Sequence, residues 1–380
     1  MKKVFAIVMA AIMVMAMCAG CNNSGDDSNV IKVGTSGPLT GDYAVYGVAV
    51  ANGLELAFEE INALGGLQFE VKSQDDEADS EKAVNAYNNL MDWGMQIMAG
   101  PTTSGSALAA AAECVKDKVF MLTPSASDAA VIATGDNVFQ ICFSDPNQGI
   151  GSADYIYNHK LATKVGVIYD SSSPYSAGIF AKFKARAEEL GLTIACTEAF
   201  TDANKADLSA QVTKCQEAGC DLVFLPIYTA EAAQILSYAN KIGYAPMFFG
   251  CDGLDGILTV ENFDAKLAEG VMLLTPFDAN AEDARTQSFV KKYTEKYGIV
   301  PNQFAADAYD VAYAIYEACK AGGVTPDMSA EEVCAIMVAQ MTSMKFDGIT
   351  GEGMSWGTDG AVSKMPMAVK IENGQYVGVE

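Results

Sequence analysis

Short apolar runs alternate with longer segments whose apolar residues recur at helical spacing, from about residue 30 to about residue 275. The short runs predict strands, and the longer segments predict helices that pack one face on a sheet. This alternation is typical of parallel sheets covered on both faces. The predicted strands begin at residues 31, 69, 96, 119, 164, 193, 221, 247 and 271, and the predicted helices cover about 46–63, 80–93, 175–190, 207–217 and 230–242, with one more after Ser104.

The strand–helix rhythm runs twice, which predicts an α/β protein of two doubly wound parallel-sheet lobes joined by a hinge. After residue 275 the pattern is mostly helical, over about 282–297, 303–321 and 329–341, and a short β tail follows. No linker rich in Pro, Gly or Ser separates the two runs, so we expect the chain to cross between lobes more than once. The predicted N-terminal lobe is 30–145 plus 277–345, and the predicted C-terminal lobe is 146–276 plus 346–380.

The N-terminal segment has the layout of an export signal. Two lysines precede an uncharged apolar run, 4–17, that is too short to span a bilayer. The run ends in Cys-Ala-Gly-Cys at 18–21, which resembles the lipobox of bacterial lipoproteins and makes Cys21 the predicted lipidation site. A plain secretory signal is the alternative. We therefore expect a signal peptide over 1–20, a polar flexible tether over 21–29, and an extracytoplasmic protein held at the membrane by its N-terminal lipid only.

Charge and cysteine spacing exclude several classes of protein. A net charge of −24 repels nucleic-acid phosphates and anionic lipid headgroups, so neither is an expected ligand. Downstream of Cys21 the cysteines form no CxxC pair, which argues against a zinc ribbon or a thioredoxin-type centre. Several of them lie in apolar patterns and are expected to be buried. The pairs Cys215 with Cys220 and Cys319 with Cys334 could form disulfides, and spacing alone leaves this open.

The sequence does not have the residues that common catalytic sites need. His159 is the only histidine, and it lies at a polar helix end where a solvated or capping role is expected. There is no GxxxxGK[ST] phosphate loop, so transport would need a separate ATPase, and no GxGxxG follows the first strand. The acidic turn 75–79 could hold calcium, but its spacing does not match an EF-hand loop. We therefore expect a non-enzymatic binding protein without a metal or cofactor.

Candidate binding residues lie in the loops that follow predicted strands, where open parallel sheets bind their ligands. The loop 100–106 leads into a helix N-terminus, where free N–H groups and the helix dipole favour an anion such as a carboxylate. Helix capping is the alternative role for Ser104, and likewise for Ser127 or Asp128 in the next loop. In the second run of strands and helices, the loops after the strands contain Tyr175, Tyr228 and Asp252. For Asp252, which precedes a glycine, a role as a turn residue is the alternative.

From residue 31 to about residue 378 the sequence resembles the type I periplasmic binding proteins of branched-chain amino-acid uptake systems. The resemblance implies a two-lobed Venus-flytrap fold that captures a free amino acid, leucine, isoleucine or valine, for an ABC importer. The implied partners are the permease and its separate ATPase, and the expected state is a monomer. The stretches that carry the resemblance are 31–34, 36–41, 61–66, 75–79 with 82–83, 100–105, 250–253 and 346–351.

The resemblance also implies how the amino-acid head group is held. The N–H and hydroxyl of Ser104 would hold the α-carboxylate, together with the N–H of Ser127. The α-ammonium would meet the Ser125 carbonyl, the Ser127 hydroxyl and the Asp252 carboxylate. The physics agrees, because a zwitterion needs an anion site and a countercharge close together, and charge-assisted hydrogen bonds supply both.

Three tyrosines complete the site that the resemblance implies. Tyr228 would close over the head group from the second lobe, while Tyr46 and Tyr175 would shape the part of the cleft that receives the side chain. In leucine-type members a glutamate stands at the position of Asp252, which leaves the ligand range open. The alternatives are a sensory receptor domain of the same fold, or an importer receptor for an amide, an aromatic acid or a nucleoside.

Overall fold

The structure is a computed structural model, and it describes residues 29–379. The predicted signal peptide, the lipidation site Cys21 and the tether up to residue 28 lie outside the described residues. The strands are β1 Ile31–Gly37, β2 Phe69–Asp75, β3 Ile97–Met98, β4 Phe120–Thr123, β5 Val138–Gln140, β6 Val165–Asp170, β7 Ile194–Phe200, β8 Leu222–Leu225, β9 Met247–Gly250, β10 Met272–Thr275, β11 Met367–Glu372 and β12 Gln375–Val379. The helices are α1 Ala44–Ala63, α2 Ser80–Trp93, α3 Ser104–Asp117, α4 Ala129–Ile132, α5 Asp145–Asn158, α6 Pro174–Leu190, α7 Ser209–Glu217, α8 Thr229–Lys241, α9 Ala284–Tyr297, α10 Gln303–Gly322 and α11 Ala330–Met341.

The first lobe is built on a five-stranded sheet in the order β2-β1-β3-β4-β5, and every neighbouring pair is parallel. Strand β1 is buried along its whole length, as expected for the centre of a sheet with helices on both faces. Helices α1 and α10 pack on each other so closely that a Cβ at Gly53 would lie 2.3 Å from the carbonyl oxygen of Ala305. The glycine is therefore needed for this close approach.

The second lobe is built on a seven-stranded sheet in the order β12-β11-β10-β9-β8-β6-β7. Strands β6 to β10 pair in parallel, whereas β11 lies antiparallel to β10 and β12 antiparallel to β11. The doubly wound α/β class is confirmed, and this edge hairpin makes the second sheet mixed. The direction of β11 follows from the hinge: β10 leaves the lobe there and β11 enters it there, so the two strands run in opposite directions.

The chain passes between the lobes after β5, after β10 and before β11. The last passage differs from the predicted boundary, which assigns 346–380 to the C-terminal lobe. Residues within 346–362 instead pack in the hydrophobic core of the first lobe, and the indole N–H of Trp356 donates to the carbonyl of Gln140 at 2.8 Å. This segment forms only two isolated β-bridges, both within itself, so it is not tied to the sheet of the second lobe. Its large apolar side chains are buried in the core of the first lobe instead. The core residues concerned are Phe346, Met354, Trp356 and Val362.

The carboxylates of the acidic turn 75–79, which were considered as calcium ligands, form hydrogen bonds within the protein. In the acidic turn, Asp75 accepts from the N–H of Leu39 at 2.9 Å, Asp76 accepts from the Ser36 hydroxyl at 3.0 Å, and Asp79 caps α2. No group of three or more metal-ligating side chains occurs within residues 29–379. These carboxylates hold the loop after β2 in place.

The cysteines and the histidine also take structural positions. All eight described cysteines are free thiols, and the Cys319 sulfur contacts the sulfur of Met337 at 3.6 Å. His159 ends α5, and its ring stacks on Tyr155 with ring centres 4.1 Å apart. The position of His159 at a helix end agrees with its sequence context.

Candidate ligand-binding site

A small buried cavity of about 10 Å³ lies between the two lobes, at the strand ends that face the hinge. A cavity of this size holds about one water molecule, so the lobes are closed on each other and an amino acid needs them to open. Six of the seven site residues predicted from the sequence line this cavity. The lining residues are Tyr46, Thr102, Thr103, Ser104, Ser125, Tyr175, Tyr228, Asp252, Gly253 and Phe304.

On the first lobe, the cavity is bounded by the start of α3. Thr103 is the N-cap residue but makes no side-chain capping bond, and Ser104 is the first helical residue. The first N–H groups of a helix have no partner within the helix, so they are available to an anion. The Ser104 hydroxyl oxygen accepts from the N–H of Asp128 at 3.3 Å, and the Thr103 hydroxyl is buried without a hydrogen-bond partner. Helix capping is therefore not the role of Ser104.

The loop after β4 supplies the other first-lobe residues. The Ser125 hydroxyl donates to the carbonyl of Thr102 at 2.6 Å, which fixes this loop against the one before α3. Asp128 caps α4 by accepting the N–H of Ala130 at 2.8 Å. Ser127 is fully buried just behind the cavity wall, and its hydroxyl has no hydrogen-bond partner. Capping thus falls to Asp128 and leaves Ser127 free for another role.

On the second lobe, Asp252 begins a short 3-10 helix directly after β9, and it is 4% exposed. Its Oδ1 accepts from the Tyr175 hydroxyl at 2.6 Å, and its backbone N–H donates to Oε1 of Gln148 at 3.1 Å. Its carbonyl accepts from Nε2 of Gln303 on the first lobe at 2.9 Å. Burial raises the pKa of the Asp252 carboxyl to about 7, while the hydrogen bond from Tyr175 and the nearby amide of Gln148 act in the opposite direction.

This raised pKa predicts a pH dependence of the ligand-free protein. The pKa of Asp252 in the fold is about 7, above the unfolded value of 3.8. Its stabilising contribution is therefore complete below the unfolded pKa and is lost as the pH rises through about 7. Asparagine is a neutral isostere of aspartate. We therefore expect the melting temperature of Asp252→Asn, relative to that of the wild type, to rise as the pH increases from about 5 to about 8. A melting-temperature difference that stays constant over this range contradicts the prediction.

Stacked aromatic rings fill the rest of the cleft. Tyr175 and Tyr228 stack with centres 4.9 Å apart and planes 2° from parallel, and Tyr46 lies 5.2 Å from Tyr228. Tyr46 belongs to the first lobe, yet its hydroxyl donates to the carbonyl of Gly253 at 2.6 Å and accepts from the N–H of Thr229 at 2.8 Å. The phenol of Tyr46 therefore bridges the lobes in the closed form.

A second bridge between the lobes lies beside the cleft. The Tyr43 hydroxyl, on the first lobe, donates to Oε1 of Glu231 at 2.7 Å and accepts from Nζ of Lys205 at 2.8 Å. The Lys205 ammonium also lies 4.8 Å from the centre of the Tyr43 ring, a cation–π distance. These contacts hold the closed form by a second group of residues that does not line the cavity.

A larger groove of about 880 Å³ lies on the flank of the hinge, and its lining is mostly apolar. None of the site residues predicted from the sequence lines it. The unpartnered polar groups found at the smaller cleft, the Thr103 and Ser127 hydroxyls, point to a ligand there instead. The smaller cleft is therefore the candidate site.

The structure adds residues that reading the sequence missed. Thr102 and Thr103 lie in the predicted loop but received no role, and Phe304 comes from α10, distant in sequence. Asp145 begins α5 directly behind Ser127, and neither of its carboxylate oxygens has a hydrogen-bond partner. An Asp-Pro pair after an apolar run is a signal for a helix start, but it does not show which way the carboxylate faces.

Two hinged α/β lobes, with helix N–H groups on one side of the cleft and a buried carboxylate on the other, define a solute-binding protein that closes around its ligand. Comparison with known families agrees. The chain belongs to the periplasmic binding protein family, whose profile matches residues 30–375.

Individual proteins that are similar to this chain indicate its place within the family more closely. Leu/Ile/Val-binding protein homolog 3 of Brucella melitensis is 29% identical over 356 residues, which cover 92% of this chain and 94% of that protein. The branched-chain amino acid transporter substrate binding protein LivJ from Streptococcus pneumoniae, solved in complex with isoleucine, is 28% identical with a TM-score of 0.80, over 92% of this chain and 100% of that one. A solute binding protein of an ABC transporter from R. palustris, in complex with benzoate, has a TM-score of 0.82 at 21% identity, over 92% of this chain and 95% of that one. At this lower identity the last likeness concerns the fold alone.

These findings establish the type I periplasmic binding fold of the branched-chain amino-acid type, and a solute-binding role in ABC transport. Membership of the family implies a location outside the cytoplasm. Among the described helices, none combines the length and the apolar character that crossing a membrane requires.

Proposed function

We propose that this protein captures a free α-amino acid, in the first place leucine, isoleucine or valine, and delivers it to the permease of an ABC importer. The observation that carries the proposal is the pairing of opposite electrostatic environments across one cleft. The N-terminus of α3 at Ser104 favours an anion, and the buried carboxylate of Asp252 needs a cation. A zwitterion with adjacent carboxylate and ammonium groups satisfies both.

The head group would be held by residues from both lobes. Ser104 would bind the α-carboxylate through its N–H and hydroxyl, helped by the N–H of Ser127. The Ser125 carbonyl, the Ser127 hydroxyl and the Asp252 carboxylate would receive the three ammonium protons. Because the first-lobe and second-lobe groups meet only in the closed form, the ligand would stabilise closure by its higher affinity for that form.

The walls of the cleft support an apolar side chain. Tyr46, Tyr175, Tyr228 and Phe304 present aromatic surface, and Tyr46 packs edge-on against Phe304 with centres 4.9 Å apart. Tyr228 would cover the head group, and Tyr46 and Tyr175 would shape the space for the side chain. Leu/Ile/Val-binding relatives at close to 30% identity support the same ligand class.

An aromatic acid is the second candidate ligand, an alternative that the sequence left open. Aromatic walls would suit such a ring. However, an acid without an ammonium group would leave the Asp252 carboxylate buried and unpaired, and it would add a further negative charge nearby. The charges of the cleft therefore favour the amino acid.

The cellular setting of the proposal comes from the N-terminal sequence. Lipid attachment at Cys21 would tether a monomer to the outer face of the membrane, close to the permease, while a separate ATPase would power transport. The absence of a phosphate loop in the sequence supports this division of work.

Isothermal titration of protein refolded to remove bound ligand tests the proposal. We expect leucine, isoleucine or valine to bind and to raise the melting temperature, because a ligand that binds only the folded state stabilises it by linkage. Benzoate and 4-methylpentanoate, which is leucine without its amino group, should give no comparable binding. Binding of benzoate without binding of any α-amino acid would overturn the proposal.

A further inference from the structure

The carboxylate of Asp145 is buried directly behind the candidate site. Asp145 is 1% exposed, and neither of its oxygens has a hydrogen-bond partner. Its backbone N–H donates to the carbonyl of Ser127 at 2.8 Å, which fixes the two residues side by side. A Cβ placed at Gly178 of α6 would lie 3.2 Å from its Oδ2, so the helix backbone passes close to this carboxylate. Asp145 is therefore held in one place with unused acceptor capacity.

The usual role of an aspartate at a helix start does not account for this group. Ser144 is the N-cap residue of α5, and Asp145 follows it as the first helical residue. An aspartate that caps a helix accepts backbone N–H bonds, but the Asp145 oxygens accept none. A buried carboxylate without donors is costly, so its retention needs another explanation.

Two further polar groups next to Asp145 also lack partners. The hydroxyl of Ser127 and Nε2 of Gln148 are buried and form no hydrogen bond, and the backbone of Asp252 is bonded to the other side of the Gln148 amide. The Ser127 hydroxyl lies close enough to lower the pKa of Asp145, although no hydrogen bond of normal geometry joins them in the closed form. Gln148 thus connects this group of residues to Asp252, which lines the cleft.

We propose that, when an amino acid is bound, Asp145 accepts the hydroxyl proton of Ser127 as a hydrogen bond and so turns the Ser127 oxygen toward the α-ammonium of the ligand. This inference rests on the proposed function. A hydroxyl has one proton to donate and two lone pairs to accept with. If the Ser127 proton pointed at an ammonium group, donor would face donor, so an acceptor behind Ser127 is required. Asp145 occupies that position without touching the ligand, as a positioning residue.

The charge balance around Asp145 supports this role. Burial raises the pKa of Asp145 well above its ordinary value, and the carboxylates of Asp252 and Asp128 act in the same direction. The charge of Asp145 also raises the pKa of the Tyr228 phenol and of the buried Cys142 and Cys251 thiols. None of these groups is a cation. An arriving ammonium would lower the pKa of both Asp145 and Asp252 and favour their ionised forms, so binding should release protons.

Asp145→Asn tests the inference, because it keeps the shape of the side chain but removes its charge and replaces one acceptor oxygen with an NH2 donor. Its matched control is Asp128→Asn, one residue from Ser127 and half-buried, where asparagine can still accept the N–H of Ala130 that caps α4. Leucine is the probe, and titration in two buffers of different ionisation enthalpy gives both the affinity and the protons released. We expect Asp145→Asn to weaken leucine binding by about tenfold or more, the usual weight of one charge-assisted hydrogen bond, and to release fewer protons than the wild type. The control should stay within about threefold of the wild type.

A double-mutant cycle with Ser127→Ala separates positioning from a general structural effect. If Asp145 acts through Ser127, then Asp145→Asn should cost little further affinity in the Ser127→Ala background. Equal losses in both backgrounds, or leucine affinity and proton release unchanged by Asp145→Asn, would overturn the inference while the proposed function stands. Failure of the wild type to bind leucine, isoleucine or valine would overturn both. If Asp145→Asn does not fold, Ser127→Ala tests the inference alone. Without the Ser127 hydroxyl bonded to Asp145, this variant should release fewer protons on leucine binding than the wild type, and unchanged proton release would overturn the inference.

Discussion

Replacing Asp252 with asparagine is expected to weaken leucine binding by about 30-fold or more. Removing one member of a buried, hydrogen-bonded charge pair costs roughly 2–5 kcal/mol, and each 1.4 kcal/mol is a factor of ten in affinity. Asparagine keeps the volume of the side chain and can still accept from the Tyr175 hydroxyl, so the change removes mainly the charge opposite the ligand ammonium. Isothermal titration near pH 8, where the wild-type carboxylate is mostly ionised, gives the comparison.

Asp255→Asn is the matched control for this experiment. Asp255 lies three residues further along the same loop, is 5% exposed, and accepts from the N–H of Gln303 at 2.7 Å without lining the cleft. Asparagine can still accept this bond, which crosses between the lobes, so we expect its leucine affinity to stay within about threefold of the wild type. Equal affinities for the wild type and Asp252→Asn would remove Asp252 from the ammonium site.

Replacing Lys364 with methionine is expected to lower the free energy of unfolding by about 3–5 kcal/mol, the usual cost of removing one partner of a buried ion pair. The Lys364 ammonium is 2.6 Å from Oδ1 of Asp307 and 2.5 Å from the Thr350 hydroxyl, and the side chains of the ion pair are 1% and 3% exposed. Without it, the Asp307 carboxylate stays buried with no countercharge. Urea unfolding of the ligand-free protein measures the loss.

Lys370→Met provides the comparison, since Lys370 pairs with Glu372 at 2.8 Å and the two side chains are 37% and 43% exposed. Exposed pairs contribute roughly 0–1 kcal/mol, so this change should be nearly neutral. The double variant Lys364→Met with Asp307→Leu should recover part of the lost stability, because Asp307 no longer leaves a buried carboxylate without its countercharge, while the buried Asp310 carboxylate still lacks the Lys364 charge. A loss for Lys364→Met no larger than that of the control would show that the pair contributes little to the fold.

Closure of the two lobes explains why a small cavity can be the binding site of a much larger amino acid. Tyr46, Tyr43 and Gln303 each form a hydrogen bond from the first lobe to the second, so closure does not depend on a ligand alone. Against these bonds stand the buried carboxylates of Asp145 and Asp252, which are uncompensated until a cation arrives. The ligand ammonium would remove that penalty and shift the population toward the closed form.

Secondary structure was predictable because periodicity is a local property. Helix α2 was predicted over 80–93 and is observed at Ser80–Trp93, and predicted helices such as 303–321 end within a few residues of the observed ones. Strand β5 and the edge strand β12 are short or half exposed, so their apolar runs are too weak to stand out. Helix α5, between β5 and β6, was likewise not assigned as an element.

The strand-end loops were predictable for a related reason. In a parallel sheet the carboxyl ends of the strands meet at one edge, so Ser104 and Ser125 of the first lobe can be grouped before any coordinates exist. Asp252 lies on the other sheet, and its pairing with these serines came from the family resemblance. What they contact is a different question. That Asp128 caps α4 and leaves Ser127 unpartnered depends on the path of a single loop, and the sequence allowed either assignment.

The sequence by itself determined the α/β class, the two lobes, and the loops from which a zwitterion site could be assembled, because each of these follows from local periodicity and the order of elements. Only the tertiary structure decided which lobe holds the segment before β11, that Phe304 from α10 reaches the cleft, and that Asp145 lies behind Ser127 with its acceptors unused. These facts depend on how close residues distant in sequence come when the lobes pack. A hydrogen bond or an unpaired carboxylate is decided by a few tenths of an ångström, which no pattern along the chain encodes.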